Sequence, residues 1–139
     1  MSATIQASDL NTALLSIRRA AADVYLFTDK LSWLKRVHQV AVKAMNAVEA
    51  MQQDIDHSPD LQATLAASNN VSFFDAIVDE DVISELEEEI LSMTQAFDDP
   101  ILSQFLTEVV EKTETKYKVL IKKTHDFNAL MKKISLTGL

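Results

Sequence analysis

Two acidic pairs with helical spacing are the residues in this sequence best suited to chemistry. Glu85 and Glu88 are three positions apart in one predicted helix, and Glu108 and Glu111 have the same spacing in the next. Carboxylates on facing helices can hold Mg²⁺, because this cation prefers oxygen ligands and keeps coordination positions open for a phosphate. The spacing therefore raises the hypothesis of a magnesium-dependent hydrolase of nucleotide phosphates.

The two pairs resemble the ExxE and ExxD motifs of the MazG-like all-α nucleotide pyrophosphatases. The resemblance covers about 27 residues, and Glu111 stands where that family has Asp. It implies a Mg²⁺-dependent nucleotide pyrophosphohydrolase. Helical geometry opposes this function, because at about 100° per residue Glu88 and Glu111 each lie about 170° from the centre of the apolar face of their helix. Carboxylates directed to water cannot share an ion within one chain, so the alternative prediction is a solvated acidic face.

Other catalytic and metal-binding patterns are missing from the sequence. Di-iron bundles use Glu-x-x-His motifs, but Lys35 and Lys122 stand three positions before His38 and His125. The absence of Cys excludes disulfides, thiolate zinc sites and cysteine nucleophiles. No nucleophile triad and no Gly-rich phosphate loop is present. We therefore predict a protein that has no cofactor and is not an enzyme.

Charge is strongly segregated along the chain, whose formal net charge is −8. Residues 61–111 contain twelve Asp or Glu and no Lys or Arg, whereas residues 112–139 contain seven Lys and two acids. Either the two segments lie together in the fold, or each is a surface for an oppositely charged partner. Nucleic acids and anionic lipids both require clustered Lys and Arg, so we expect neither nucleic-acid nor membrane binding.

Composition indicates an all-α fold. The 139 residues fit a single domain, 1–139, and include one Gly and two Pro, where an average chain of this length would have about ten Gly and about seven Pro. Tight hairpins and phosphate loops need Gly for positive φ angles. We predict a bundle of four to five helices with a long C-terminal helix that is partly coiled-coil-like.

Apolar periodicity and the two Pro residues define the predicted helices. These cover residues 9–28, 30–54, 80–97 and 100–134, with a short helix after Pro59. The first two are separated near Thr28 and Asp29, where the apolar stripe rotates; one long kinked helix is the alternative. Pro59 and Pro100 each stand at the first position of a helix, where a missing N–H is tolerated.

The far half of the last helix needs cover for its apolar side chains. Pairing with the preceding helix accounts only for residues up to about 118. Leu120, Phe127 and Met131 lie beyond this point and require the N-terminal helices, a second copy of the chain or a different protein. Trp33, the only Trp, is a candidate interface anchor, because buried Trp often dominates binding energies.

The sequence favours a small acidic binding protein of the adaptor, secretion-chaperone or toxin-immunity kind. We expect it in the cytoplasm, since its first residues lack the basic and apolar regions of a signal peptide. Glu85, Glu87, Glu88 and Glu89 are predicted to steer a basic protein partner, and a homo-oligomer is expected. The alternatives are the magnesium-dependent hydrolase and a structural coiled-coil subunit of a larger assembly.

Overall fold

The computed structural model of the chain is an all-α bundle, as predicted. It describes residues 7–29, 31, 34–56, 74 and 77–137, and these contain no β-strand. The helices are α1 (Ala7–Thr28), α2 (Lys35–Asp56), α3 (Asp81–Phe97) and α4 (Pro100–Thr137). The long C-terminal helix is therefore confirmed, and it extends three residues beyond the predicted end.

The N-terminal region forms two helices, with the break at the predicted place. The Thr28 hydroxyl donates a hydrogen bond to the Val24 carbonyl at 2.8 Å. This bond lies within the last turn of α1. The backbone N–H groups of Leu31 and Leu34 then bond to carbonyls three residues earlier, at 3.0 and 2.9 Å. These tight turns carry the chain between the helices, so α2 begins at Lys35 and not at residue 30.

The turn between α3 and α4 follows from Asp98, Asp99 and Pro100. Asp98 has a left-handed backbone conformation (φ 44°, ψ 40°), which Asp tolerates better than most residues. The Asp99 carboxylate accepts hydrogen bonds from the N–H groups of Ile101 and Leu102 at 3.0 and 3.4 Å. Asp99 is thus the cap of α4 and Pro100 its first residue, which confirms the predicted arrangement.

The core forms where α1 packs against α2 and α4, and where α3 packs against α4. Leu120, Phe127 and Met131 are buried there, and the Phe127 ring meets the edge of Phe74 with centroids 5.3 Å apart. The chain itself therefore covers the apolar side chains in the far half of α4. These three side chains are core residues of the single chain and present no surface to a partner.

Two threonines inside the apolar stripe of α4 have their hydroxyls satisfied by the backbone. The hydroxyls of Thr113 and Thr124 donate to the carbonyls of Val109 and Ile121, each at 2.7 Å. Bonds of this kind let a Thr side chain occupy a buried helical position without an orphaned hydroxyl. The interruptions of the stripe are therefore compatible with a packed core.

Some predicted features lie outside the described residues. They are Trp33, the loop beyond Asp56 and the short helix after Pro59. Within the described part of the chain, no helix has both the length and the apolar character needed to cross a bilayer.

Candidate functional site

The beginning of α3 is anchored to α2 and α4. Arg36, at the start of α2, pairs with the carboxylate of Asp79 at 3.2 Å, and the Tyr117 hydroxyl of α4 donates to the backbone carbonyl of Asp79 at 2.6 Å. His125 lies 3.0 Å from the Glu80 carboxylate. These contacts fix the direction in which the α3–α4 hairpin leaves the bundle.

The far part of this hairpin, residues 87–105, is termed the hairpin tip. Leu86 is the last buried residue of α3, and Leu106 is the first of α4. Every side chain described between them is exposed or half-buried. The hairpin is thus anchored at its base, and its tip presents an exposed surface that a partner can reach.

The hairpin tip is acidic and has no internal counter-charge. It contains five acidic side chains and no Lys or Arg: Glu87, Glu88, Glu89, Asp98 and Asp99. All five are exposed. Their combined potential attracts cationic groups and raises the rate at which a basic partner meets the tip.

The predicted acidic residues Glu85, Glu87, Glu88 and Glu89 are not equivalent. Glu85 forms an ion pair with Arg36, and this pair is half-exposed, so it contributes only about 0–1 kcal/mol to stability. Glu88 and Glu89 make no hydrogen bond or ion pair with the described residues. These two carboxylates are therefore free to bind a partner.

Glu87 faces another carboxylate across the hairpin. Partial burial raises the pKa of Glu114 above its ordinary value of 4.5, and a hydrogen bond to Glu87 and the negative charge of Glu87 raise it further. Lys118 acts in the opposite direction. Loss of the Glu114 proton therefore places a second negative charge beside Glu87, which makes this contact between α3 and α4 less favourable.

Replacing Glu114 with Gln is expected to stabilise the protein near neutral pH. Because the folded-state pKa of Glu114 is raised, the native state holds its proton more tightly than the unfolded chain does. The stability associated with this proton is complete below pH 4.5 and is lost as the pH rises through the folded-state pKa. We expect E114Q to raise the unfolding free energy by about a few tenths of a kcal/mol at pH 7.

Urea denaturation at pH 7 and at pH 4 measures this difference. The gain of E114Q over the wild type should disappear at pH 4, where both chains carry a neutral group at this position. Glu108→Gln removes an exposed charge from the same helix and is the control. An E114Q chain less stable than the wild type at pH 7 would show that the carboxylate is stabilising.

A cleft of about 440 Å³ lies between the start of α2 and the start of α3. Leu34, Val82 and Leu86 contribute apolar lining, and Arg36 and Glu89 contribute opposite charges. Lys35 and Glu85 add a further charge of each sign, and none of the described lining residues is Ser, Thr or His. The cleft therefore combines an apolar floor with charged groups of both signs, which suits it to accepting a side chain of a partner.

The carboxylates of the magnesium hypothesis are not gathered at one place. Glu85 is engaged by Arg36, and Glu88, Glu108 and Glu111 are exposed. The described residues contain no group of three or more His, Asp or Glu side chains placed to share a metal ion. This arrangement agrees with the solvated acidic face predicted from helical geometry.

An apolar groove, which the sequence did not reveal, lies between the end of α1 and the start of α4. Its volume is about 320 Å³, and it is lined by Leu26, Phe27, Leu31, Phe105, Glu108, Val109 and Lys112. Leu26 is 72% exposed and Phe105 54% exposed. Leu26 and Phe105 lie outside the apolar stripes of their helices, and this was the sequence signal that could have revealed the groove. We call this feature the α1–α4 groove.

No family model matches this chain, and no match was found among curated proteins or solved structures.

Proposed function

We propose that the chain is a non-catalytic protein-binding module, of the adaptor, secretion-chaperone or toxin-immunity kind, whose hairpin tip binds a basic protein. The observation that carries this proposal is the exposed tip, with five acids and no basic residue. Such a concentration of like charge opposes compact folding. Binding a basic surface would relieve the repulsion.

Exposed apolar side chains on the same hairpin support a protein partner rather than a small cation. Leu91 is 58% exposed and Ile101 is 81% exposed, and Phe105 lies one turn after Ile101 on α4. Apolar side chains exposed together and rimmed by polar residues mark interaction surfaces. The acids would steer the encounter, and the apolar residues would supply contact area.

Neutralising the two unpaired acids is expected to abolish partner capture. We expect a basic protein to be retained from a cell extract by the immobilised wild-type chain and not by E88Q/E89Q. Because the interaction is electrostatic, raising the salt concentration to about 0.5 M should also release it. Quantitative mass spectrometry of the retained proteins is the measurement.

A matched control separates a local effect from the change in net charge. E49Q/D126N also removes two exposed acids but leaves the hairpin tip intact, and it should retain the same protein as the wild type. Equal loss by both double variants would show that only net charge matters. Equal retention by all three chains would contradict the proposal.

A further inference from the structure

The α1–α4 groove has the shape and chemistry of a docking site for a helix. We infer that it binds the apolar face of an amphipathic α-helix whose other positions carry Lys or Arg, supplied by a different protein. This inference rests on the proposed function and deepens it, because it assigns the apolar contact that accompanies the acidic tip.

The length of the groove matches the repeat of a helix. Phe105 and Lys112, the first and last α4 residues of the groove lining, are seven positions apart, which is about 10.5 Å along the helix. Positions i and i+7 of a docked helix are about 10.5 Å apart. Helices that bind grooves use anchors at i, i+3 or i+4, and i+7, so the groove has the length that one such set of anchors spans.

The groove lining carries one acid and one base, and the acids of the adjacent hairpin tip make the surrounding charge negative, which favours a basic helix. Asp98 and Asp99 precede Ile101 at the tip, and Glu108 lines the groove. Lys112 lines the opposite end of the groove and is a basic group that a partner must accommodate.

Lys116, the next basic residue along α4, is already engaged within the chain. Its ammonium group lies 3.7 Å from the Asp23 carboxylate and 5.6 Å from the centre of the Phe27 ring. The accessible charge next to the exposed apolar residues Ile101 and Phe105 is therefore predominantly negative.

A second copy of this chain is a poorer occupant than a different protein. A symmetric contact through two hairpin tips would bring two sets of five acids together without a basic residue, and like charges at an interface oppose association. A contact between the tip of one copy and the Lys-rich part of α4 in another is head-to-tail. Such contacts leave one surface unsatisfied at each end unless they close into a ring.

A defined peptide pair tests the inference. The probe is a fluorescein-labelled 18-residue peptide of Lys and Leu, with Leu at i, i+3, i+4 and i+7; its partner has the same composition in scrambled order. Fluorescence anisotropy with the full chain should show binding of the amphipathic peptide at least tenfold tighter than that of the scrambled one. L26S/F105S should remove this tenfold preference while leaving the weak binding common to both peptides.

A second variant separates the groove from the acidic tip. E88Q/E89Q is expected to weaken both peptides by the same factor, since it changes charge and not shape. If L26S/F105S retained the full preference while E88Q/E89Q weakened binding, the groove inference would be overturned and the proposed function would stand. If E88Q/E89Q changed neither peptide, the role of the acidic tip would be overturned instead.

Control measurements exclude loss of folding and self-association. Leu26 and Phe105 are exposed, so L26S/F105S should melt within a few degrees of the wild type by circular dichroism. Light scattering should show the same oligomeric state for the wild type and for L26S/F105S. A dimer that this variant dissociates would overturn the inference, because the groove would then hold a second copy.

Discussion

Replacing Phe127 with Ala is expected to lower the free energy of unfolding by about 3–5 kcal/mol, the range for removing a large aromatic side chain from a core. Phe127 has no exposed surface, and its ring packs edge to face against Phe74. The substitution leaves a cavity that the surrounding helices fill only in part. The same packing provides the cover that the far half of α4 requires.

Chemical denaturation followed by circular dichroism measures this loss. Val119→Ala is the control, since Val119 is on the same helix but 46% exposed, and we expect it to cost less than about 1 kcal/mol. If F127A cost no more than V119A, the far half of α4 would not be part of the folded core. The chain would then need a partner to cover it.

Replacing Tyr117 with Phe is expected to destabilise the protein by about 1–2 kcal/mol at pH 7, because a buried hydrogen bond is lost. The Tyr117 side chain is fully buried, and its hydroxyl donates to the carbonyl of Asp79 at 2.6 Å. This bond ties the start of α3 to α4. Its loss should therefore loosen the base of the hairpin.

The effect of Y117F should also depend on pH. Burial, followed by the negative charge of Asp79, raises the pKa of the Tyr117 hydroxyl above its ordinary value of 10. The folded wild type therefore keeps this proton after the unfolded chain has lost it, and wild-type stability falls as the pH rises above 10. Y117F has no such proton, so its deficit relative to the wild type should shrink above pH 10.

Urea denaturation at pH 7 and pH 10.5 tests this prediction. Tyr25→Phe is the control, since the Tyr25 hydroxyl makes no hydrogen bond with the described residues. A Y117F deficit that is unchanged between the two pH values would contradict the assigned role of the hydroxyl. A loss of stability at pH 7 that is smaller for Y117F than for Y25F would also contradict this role.

The helices were largely predictable because local signals determine their ends. Asp99 and Pro100 form a cap and first turn that need no distant contact. The turn between α3 and α4 therefore lies where the sequence predicts it. The start of α2 was harder to predict. The tight turns through Leu31 and Leu34 carry no Pro or Gly, and they delay the helix by five residues.

The packing of the helices was not predictable, since it depends on contacts between distant residues. The hydrogen bond from Tyr117 to Asp79 joins residues 38 positions apart. Likewise, the ion pair between Arg36 and Glu85 spans 49 positions. Periodicity identifies an apolar face but not its neighbour, so three sources of cover for Leu120 stayed open. The chain itself provides that cover.

The candidate site was predictable in charge but not in detail. The run of acids from Glu85 to Glu89 indicated an acidic surface, which the exposure of the hairpin tip supports. Helical spacing could not show that Arg36 engages Glu85 or that Glu87 contacts Glu114. The α1–α4 groove was missed because Leu26 and Phe105 belong to different helices, which only the fold brings together.

Site-specific photocrosslinking tests most directly whether the hairpin tip contacts the partner. The chain has no Cys, so Ser92→Cys in α3 and Ala50→Cys in α2 each introduce a single exposed attachment point for a benzophenone. We predict that the captured basic protein crosslinks through position 92 and not through position 50, and that E88Q/E89Q abolishes the crosslink. Crosslinking at position 50 alone would contradict a role for the hairpin tip.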